Sequence, residues 1–324
     1  MKREALHALV LVAAVVLSGT ALPSTGQEPQ RPTFRAQVEL VPVDVAVLRG
    51  GRPVAGLVKA DFEILDNGVR QTIERVVTDE VPLDAWLVLD VSSSLQGQAL
   101  MQLQEAASAF AAAFAPGDRA GLVTFSHEVL VAQPLTGDLP AVRTALGQLR
   151  AGGATALYDA TYVALQLRHP SDTRGVAVVL TDGADNASWL TAERVLEAAR
   201  RSELVLYGIG VHEAAQAPRP RISGDPVRHP GSTAAPPAFA EPPAFADLPQ
   251  YRFLRGLAAA SGGAVFDASF ATLREAFARV LADIRARYLL AYYPTNAAPG
   301  WHTLEVRVPG KRVEVVARRG YWQR

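Results

Sequence analysis

Trp86-Leu87-Val88-Leu89-Asp90-Val91-Ser92-Ser93-Ser94 decides the fold. Four apolar residues in a row, without alternation, make a strand buried on both faces, and the polar run that follows marks its passage into the loop before a helix. The same grammar recurs downstream in the short apolar runs 120–125, 176–180, 204–209 and 264–266. Between the first two strands, Leu100, Leu103, Ala107, Phe110 and Phe114 recur at spacings of three and four, one stripe of a helix that stops at Pro116-Gly117. Further helical stretches fall at 139–149, 157–167, 191–201, 251–260 and 271–287. Alternating buried strands and helices predict an α/β fold over 83–287, a doubly wound, mostly parallel sheet with helices on both sides. Residues 127–133 read as one antiparallel edge strand.

Outward from this block the period changes to two. On the N-terminal side, over 34–80, Val41, Val43, Val45 and Val47 share one face, and Phe62 and Ile64 another. Asn67-Gly68 is a hairpin signal and Arg49-Gly50-Gly51-Arg52 a second turn. On the C-terminal side, over 288–322, Leu289, Ala291 and Tyr293 alternate. Leu304, Val306 and Val308, a Pro309-Gly310 turn, then Val313, Val315 and Ala317 follow. Chains of about 45 residues rarely bury enough apolar surface to stand alone. The two flanks are therefore expected to pair with each other as one small antiparallel β domain, with the α/β domain inserted between them.

Two segments stand apart. Lys2 and Arg3 precede an apolar run and then small residues, the layout of a secretory signal over 1–26, which predicts a secreted or periplasmic protein. The alternative is an uncleaved N-terminal membrane anchor, although the run is short of the ~20 residues a span needs. Nine of the 22 prolines lie in 214–249, too dense for helix or central strand, so this segment is expected to be a long inserted loop.

Composition removes several functions. The chain has 32 basic and 32 acidic residues, so no basic excess points to nucleic acid. It has no cysteine, which excludes disulfides, Cys-ligated zinc, iron–sulfur clusters and thiol catalysis. His212-Glu213-Ala214-Ala215-Gln216 lacks the second His of a zinc-protease helix, and no nucleophile elbow, phosphate-binding loop or dinucleotide fingerprint occurs.

The chemistry concentrates at three loops. Asp90, Ser92 and Ser94 follow the first buried strand, Thr155 ends Gly152-Gly153-Ala154-Thr155 before a helix, and Asp182 follows another strand in Leu180-Thr181-Asp182-Gly183. In a doubly wound sheet all three lie at the carboxyl edge, where ligands bind. Each piece has a plain reading: Ser92, Ser94 or Thr155 as a helix cap, Asp182-Gly183 as a turn. Their joint placement argues instead for one all-oxygen set suited to Mg²⁺, Ca²⁺ or Mn²⁺.

Asp90-x-Ser92-x-Ser94, Thr155 within Gly-Gly-Ala-Thr-Ala-Leu-Tyr-Asp, and Asp182 within Leu-Thr-Asp-Gly resemble the metal-ion-dependent adhesion site of von Willebrand factor type A domains. The flanking runs Val-Pro-Val-Asp-Val-Ala-Val, Asp61-Phe62-Glu63-Ile64-Leu65-Asp66-Asn67-Gly68 and Tyr-Leu-Leu-Ala-Tyr-Tyr-Pro resemble secreted bacterial relatives of that family. The resemblance implies that Ser92, Ser94 and Thr155 contact the metal and that Asp90 and Asp182 hold the shell directly or through water. It implies a non-enzymatic adhesion module whose partner is a protein offering Glu or Asp to the ion. The competing expectations are a metal-dependent hydrolase, with Asp90, Asp159, Asp182 or Asp185 as general base, and a purely structural metal.

Overall fold

The computed structural model describes residues 40–78, 81–167, 173–212 and 247–323. The expected signal over 1–26, and the expected inserted loop up to residue 246, lie outside the described residues.

The first strands are β1 (Val41–Arg49), β2 (Arg52–Pro53), β3 (Glu63–Asp66), β4 (Val69–Gln71) and β5 (Ile73–Val77). Asn67 and Gly68, between β3 and β4, both take positive φ, as the two-residue hairpin turn requires. The central block runs β6 (Leu83–Asp90), α1 (Gln98–Ala112), β7 (Arg119–Phe125), β8 (Val129–Thr136), α2 (Leu139–Gly147), α3 (Leu157–Gln166) and β9 (Arg174–Thr181). It continues through α4 (Ala192–Arg201), β10 (Val205–Val211), α5 (Pro249–Ser261), β11 (Val265–Ala268) and α6 (Leu273–Arg285). The chain closes with β12 (Tyr288–Tyr292), β13 (Gly300–Arg307), β14 (Glu314–Ala317) and β15 (Gly320–Gln323).

The central sheet has the order β11-β10-β9-β6-β7-β8, parallel except for β8, which runs antiparallel to β7 at the edge. Along β6 the side chains alternate between two cores. Ala85, Leu87 and Leu89 pack with Leu103 and Phe110 of α1, Val142 of α2 and Phe277 of α6. Trp86 and Val88 pack with Leu157 of α3, Val195 of α4 and Leu254 of α5. Trp86 faces Gly121 across the β6–β7 pair, and a Cβ on Gly121 would stand 2.3 Å from its ring. Glycine at 121 thus leaves the room that the indole occupies.

Strands from the two chain ends make the β domain. One sheet has the path β14-β1-β12-β5, with β2 on β1, and the other the order β15-β13-β3-β4. Val41, Val43, Val45 and Val47 fill the core between them together with Phe62, Ile64, Tyr288, Leu290, Tyr292 and Leu304. Tyr288, Leu290 and Tyr292 point into this core, whereas Tyr293 is exposed beyond the end of β12. Both alternate sets in this strand are apolar, so periodicity could not choose the face. Partners for the hydroxyls decide it: Tyr288 donates to the Val54 carbonyl at 2.8 Å, and Tyr292 donates to Asp66 Oδ2 at 2.9 Å.

A buried polar seam joins the β domain to the central block. Asp44 of β1 accepts from Arg174 Nε at 2.7 Å and from Arg287 Nε. Arg174 also donates to the carbonyls of Ile284 and Arg287 at 2.8 and 3.1 Å, and Arg287 to that of Gly262 at 2.5 Å.

Candidate metal centre

The chain runs from β6 to β7 on one side, then returns across β6 to β9 on the other. The carboxyl ends of β6 and β9 therefore flank a switch point, the usual ligand position in such sheets. Leu89 pairs with Leu180, which brings Asp90 beside Thr181. Asp90 is fully buried. Its Oδ1 accepts from the Ser92 amide at 2.9 Å and its Oδ2 from the Thr181 hydroxyl at 2.7 Å.

Beyond Asp90 the chain makes one 3-10 turn, Ser93–Leu95, anchored by the buried Leu95. The Ser92 and Ser94 hydroxyls lie 3.0 Å apart, and Ser94 donates onward to Asp182 Oδ1 at 2.9 Å. The loop before α3 is clipped to this turn: the Gly152 amide donates to the Val91 carbonyl at 2.8 Å and the Ser93 amide to the Gly153 carbonyl at 3.0 Å. Thr155 is held on both sides by Asn186. Its amide donates to Asn186 Oδ1 at 2.7 Å, and its carbonyl accepts from the Asn186 amide at 3.0 Å. Its Oγ1 lies 3.8 Å from where a Cβ on Gly183 would stand, so the hydroxyl faces the Asp182-Gly183 turn. All five residues singled out in the sequence thus meet at one edge of the sheet. Ser94 is exposed, but Ser92 is buried under the turn, not set on an open rim.

The electrostatics are those of a site short of positive charge. Burial pushes the Asp90 carboxyl up to about 6, with the nearby Asp182 adding to the rise. Burial also raises Asp182, against the lowering effect of the Ser94 hydrogen bond. Neither carboxylate has a basic side chain in contact among the described residues. Two close carboxylates with hydroxyls and no cation fit a hard divalent ion, which would supply the missing charge.

Four neighbours escaped the sequence reading or were given another role in it. Thr181 orients Asp90, and Asn186 holds Thr155. Asp159 and Asp185, the candidate general bases, are engaged by hydrogen bonds between α3 and the loop after β9 instead. Asp159 accepts from the Trp189 and Leu190 amides, both at 2.9 Å. Asp185 accepts from the Tyr158 amide at 3.1 Å and the Ser188 hydroxyl at 2.5 Å. The spacing Asp185-x-x-Ser188 is the one signal that hinted at such a turn.

Residues 85–184 match the family model of the von Willebrand factor type A domain. The match contains Asp90, Ser92, Ser94, Thr155 and Asp182, and ends short of the flanking strands. No protein of curated function matches the sequence. An aerotolerance-related membrane protein from Bacteroides fragilis is 19% identical, with 62% of this chain and 98% of that one covered and a TM-score of 0.46. A von Willebrand factor type A structure from Catenulispora acidiphila is 16% identical, with 81% and 73% covered and a TM-score of 0.48. Proximal thread matrix protein 1 of the mussel byssus, solved with a zinc-occupied MIDAS motif, is 18% identical, with 68% and 49% covered and a TM-score of 0.48.

Proposed function

We propose that this chain, which carries a von Willebrand factor type A domain over residues 85–184, is a divalent-metal-dependent protein-binding module. Ser92, Ser94 and Thr155 are its metal-contacting hydroxyls, and Asp90 and Asp182 hold the shell directly or through water. The observation that carries this reading is the pair of uncompensated carboxylates, Asp90 and Asp182, joined to the hydroxyls of Ser92 and Ser94. A bound Mg²⁺, Ca²⁺ or Mn²⁺ supplies positive charge with a coordination position open to an outside oxygen. Where Asp90 and Asp182 act through water, the direct ligands are neutral hydroxyls and the ion attracts a further anionic oxygen, so a Glu or Asp of a partner protein completes the site. The basic-then-apolar start of the chain supports a place outside the cytoplasm.

Hydrolysis is the weaker reading. A metal-activated water needs a base beside the ion, and Asp159 and Asp185 are occupied by backbone amides and a serine hydroxyl. The test is binding of a cross-linked native partner before and after EDTA, and with the partner's acidic residues changed to amides. Turnover of generic esters and phosphate esters is measured in parallel. Binding that is lost on both treatments, without turnover, supports the module; binding unchanged by both contradicts it.

A further inference from the structure

Trp189 is 95% exposed, although it sits in a loop with almost every nearby polar group engaged. An indole left in water on a mobile loop would need no explanation. This loop is held in place. The Trp189 and Leu190 amides both donate to the Asp159 carboxylate, from the first turn of α3. The Asp159 amide donates to the Ser188 hydroxyl at 3.0 Å, and that hydroxyl donates to Asp185. Asn186 and Ala187 donate through their amides to the Thr155 carbonyl at 3.0 and 3.2 Å. The same backbone that presents Trp189 therefore holds Thr155, and it begins at Asp182.

We infer that Trp189 is the second contact of the metal centre, an apolar platform on its rim for a partner segment that carries an acidic side chain and, close by, a proline, aliphatic or aromatic side chain. The inference rests on the metal-bridged reading above and adds the chemistry of the partner to it. An indole on a backbone already held in place offers a large contact area with only two side-chain torsions to order, which is why Trp is enriched among residues that dominate binding. Its face takes apolar groups or cations, and a cation is disfavoured beside a bound divalent ion, so its complement here is apolar, while the complement of the ion is a carboxylate. The two together define a two-point motif that neither defines alone.

Trp189→Ala removes an exposed side chain and leaves the amide that Asp159 accepts from, so the loop should keep its shape. The probe is an immobilised library of short peptides with a fixed Asp and varied flanks, paired with the same library carrying Asn. The full chain is applied with Mg²⁺ or with EDTA, as wild type, Trp189→Ala and Ser94→Ala. Peptides with Asp and a nearby apolar residue should bind best. Trp189→Ala should weaken these about tenfold or more while leaving Mg²⁺ affinity and the demand for Asp intact. Binding should also shift the emission of Trp189, read as the difference between wild type and Trp189→Ala, to the blue.

Selection for Asp with no apolar preference, or a preference untouched by Trp189→Ala, overturns this inference and leaves the metal reading standing. Binding indifferent to EDTA and to the Asp-to-Asn exchange overturns the metal reading and the two-point site with it. A library that yields no ligand overturns the two-point site. In a further arm, residues 214–246 are replaced by a short Gly-Ser linker. A red shift of Trp189 emission there would make the chain's own proline-rich segment the occupant and overturn the external partner.

Discussion

Ser94 donates to Asp182 at 2.9 Å across 88 positions of sequence. This bond ties the loop after β6 to the loop after β9, the two strands that flank the switch point. It makes a sequence motif on one loop and a lone aspartate on another into one oxygen cluster, and it is the contact that a bound ion would take over.

Ligand binding to the folded state alone stabilises it, by about 2.7 kcal/mol at one hundred times Kd. Millimolar Mg²⁺ should therefore raise the melting temperature of the chelator-stripped protein. Ser94→Ala should abolish most of that rise, and should lower the metal-free value by about 1 kcal/mol because it breaks the hydrogen bonds to Ser92 and Asp182. Ser92→Ala should also lower the metal-free stability, by about 1 kcal/mol, since the half-buried hydrogen bond to Ser94 is lost. Equal Mg²⁺ shifts in wild type and Ser94→Ala would remove that hydroxyl from the ligand set.

Asp90 gives a pH test. Its carboxyl is raised from 3.8 to about 6 in the folded chain. A raised group contributes stability that is fully present below the unfolded value and is lost as pH rises through the folded one. Without metal, Asp90→Asn should thus gain on wild type as pH rises from about 4 to about 7, by up to about 3 kcal/mol. Mg²⁺ should reverse the order at pH 7. Urea midpoints at several pH values, with and without Mg²⁺, measure both effects, and a pH-independent difference would contradict them.

The seam between the two parts of the molecule should be separable from metal binding. Arg287→Ala leaves Asp44 and Asp283 short of a buried partner. It should cost about 3–5 kcal/mol in urea unfolding with Mg²⁺ affinity unchanged in the protein that stays folded. A small cost would mean that the seam is wetter than its burial indicates.

Gly121→Ala probes the core. Its Cβ would fall 2.3 Å from the Trp86 ring, so the ring or the strand must shift, at a cost of about 1–3 kcal/mol. A melting temperature equal to wild type would show that Trp86 repacks freely.

Much of this architecture was legible in the chain because the period of the apolar residues differs between its parts. Runs without alternation gave the strands of the central sheet, and alternation at both ends gave the strands that pair across the whole chain length. Where both alternate positions were apolar, as in β12, the pattern was silent on the face, and the hydroxyl partners of Tyr288 and Tyr292 settled it. The Asp44, Arg174 and Arg287 seam was illegible for another reason. Its members are far apart in sequence, and isolated charges look the same whether they face water or each other. At the site, the five oxygen-bearing residues were readable from their place after strands and before helices. Asn186 and Asp159 were not, since they act through backbone amides of a loop whose path no local pattern specified.

In the proposed function these oxygens hold a divalent ion. Mn²⁺ binding to the chelator-stripped chain, followed by water-proton relaxation enhancement, tests it most directly, with wild type compared against Ser94→Ala/Asp182→Asn at matched helical content. Wild type should bind saturably, the double variant should lose binding, and the enhancement should fall when a carboxylate-bearing ligand displaces water from the ion. Mn²⁺ binding of equal affinity in both proteins would contradict it.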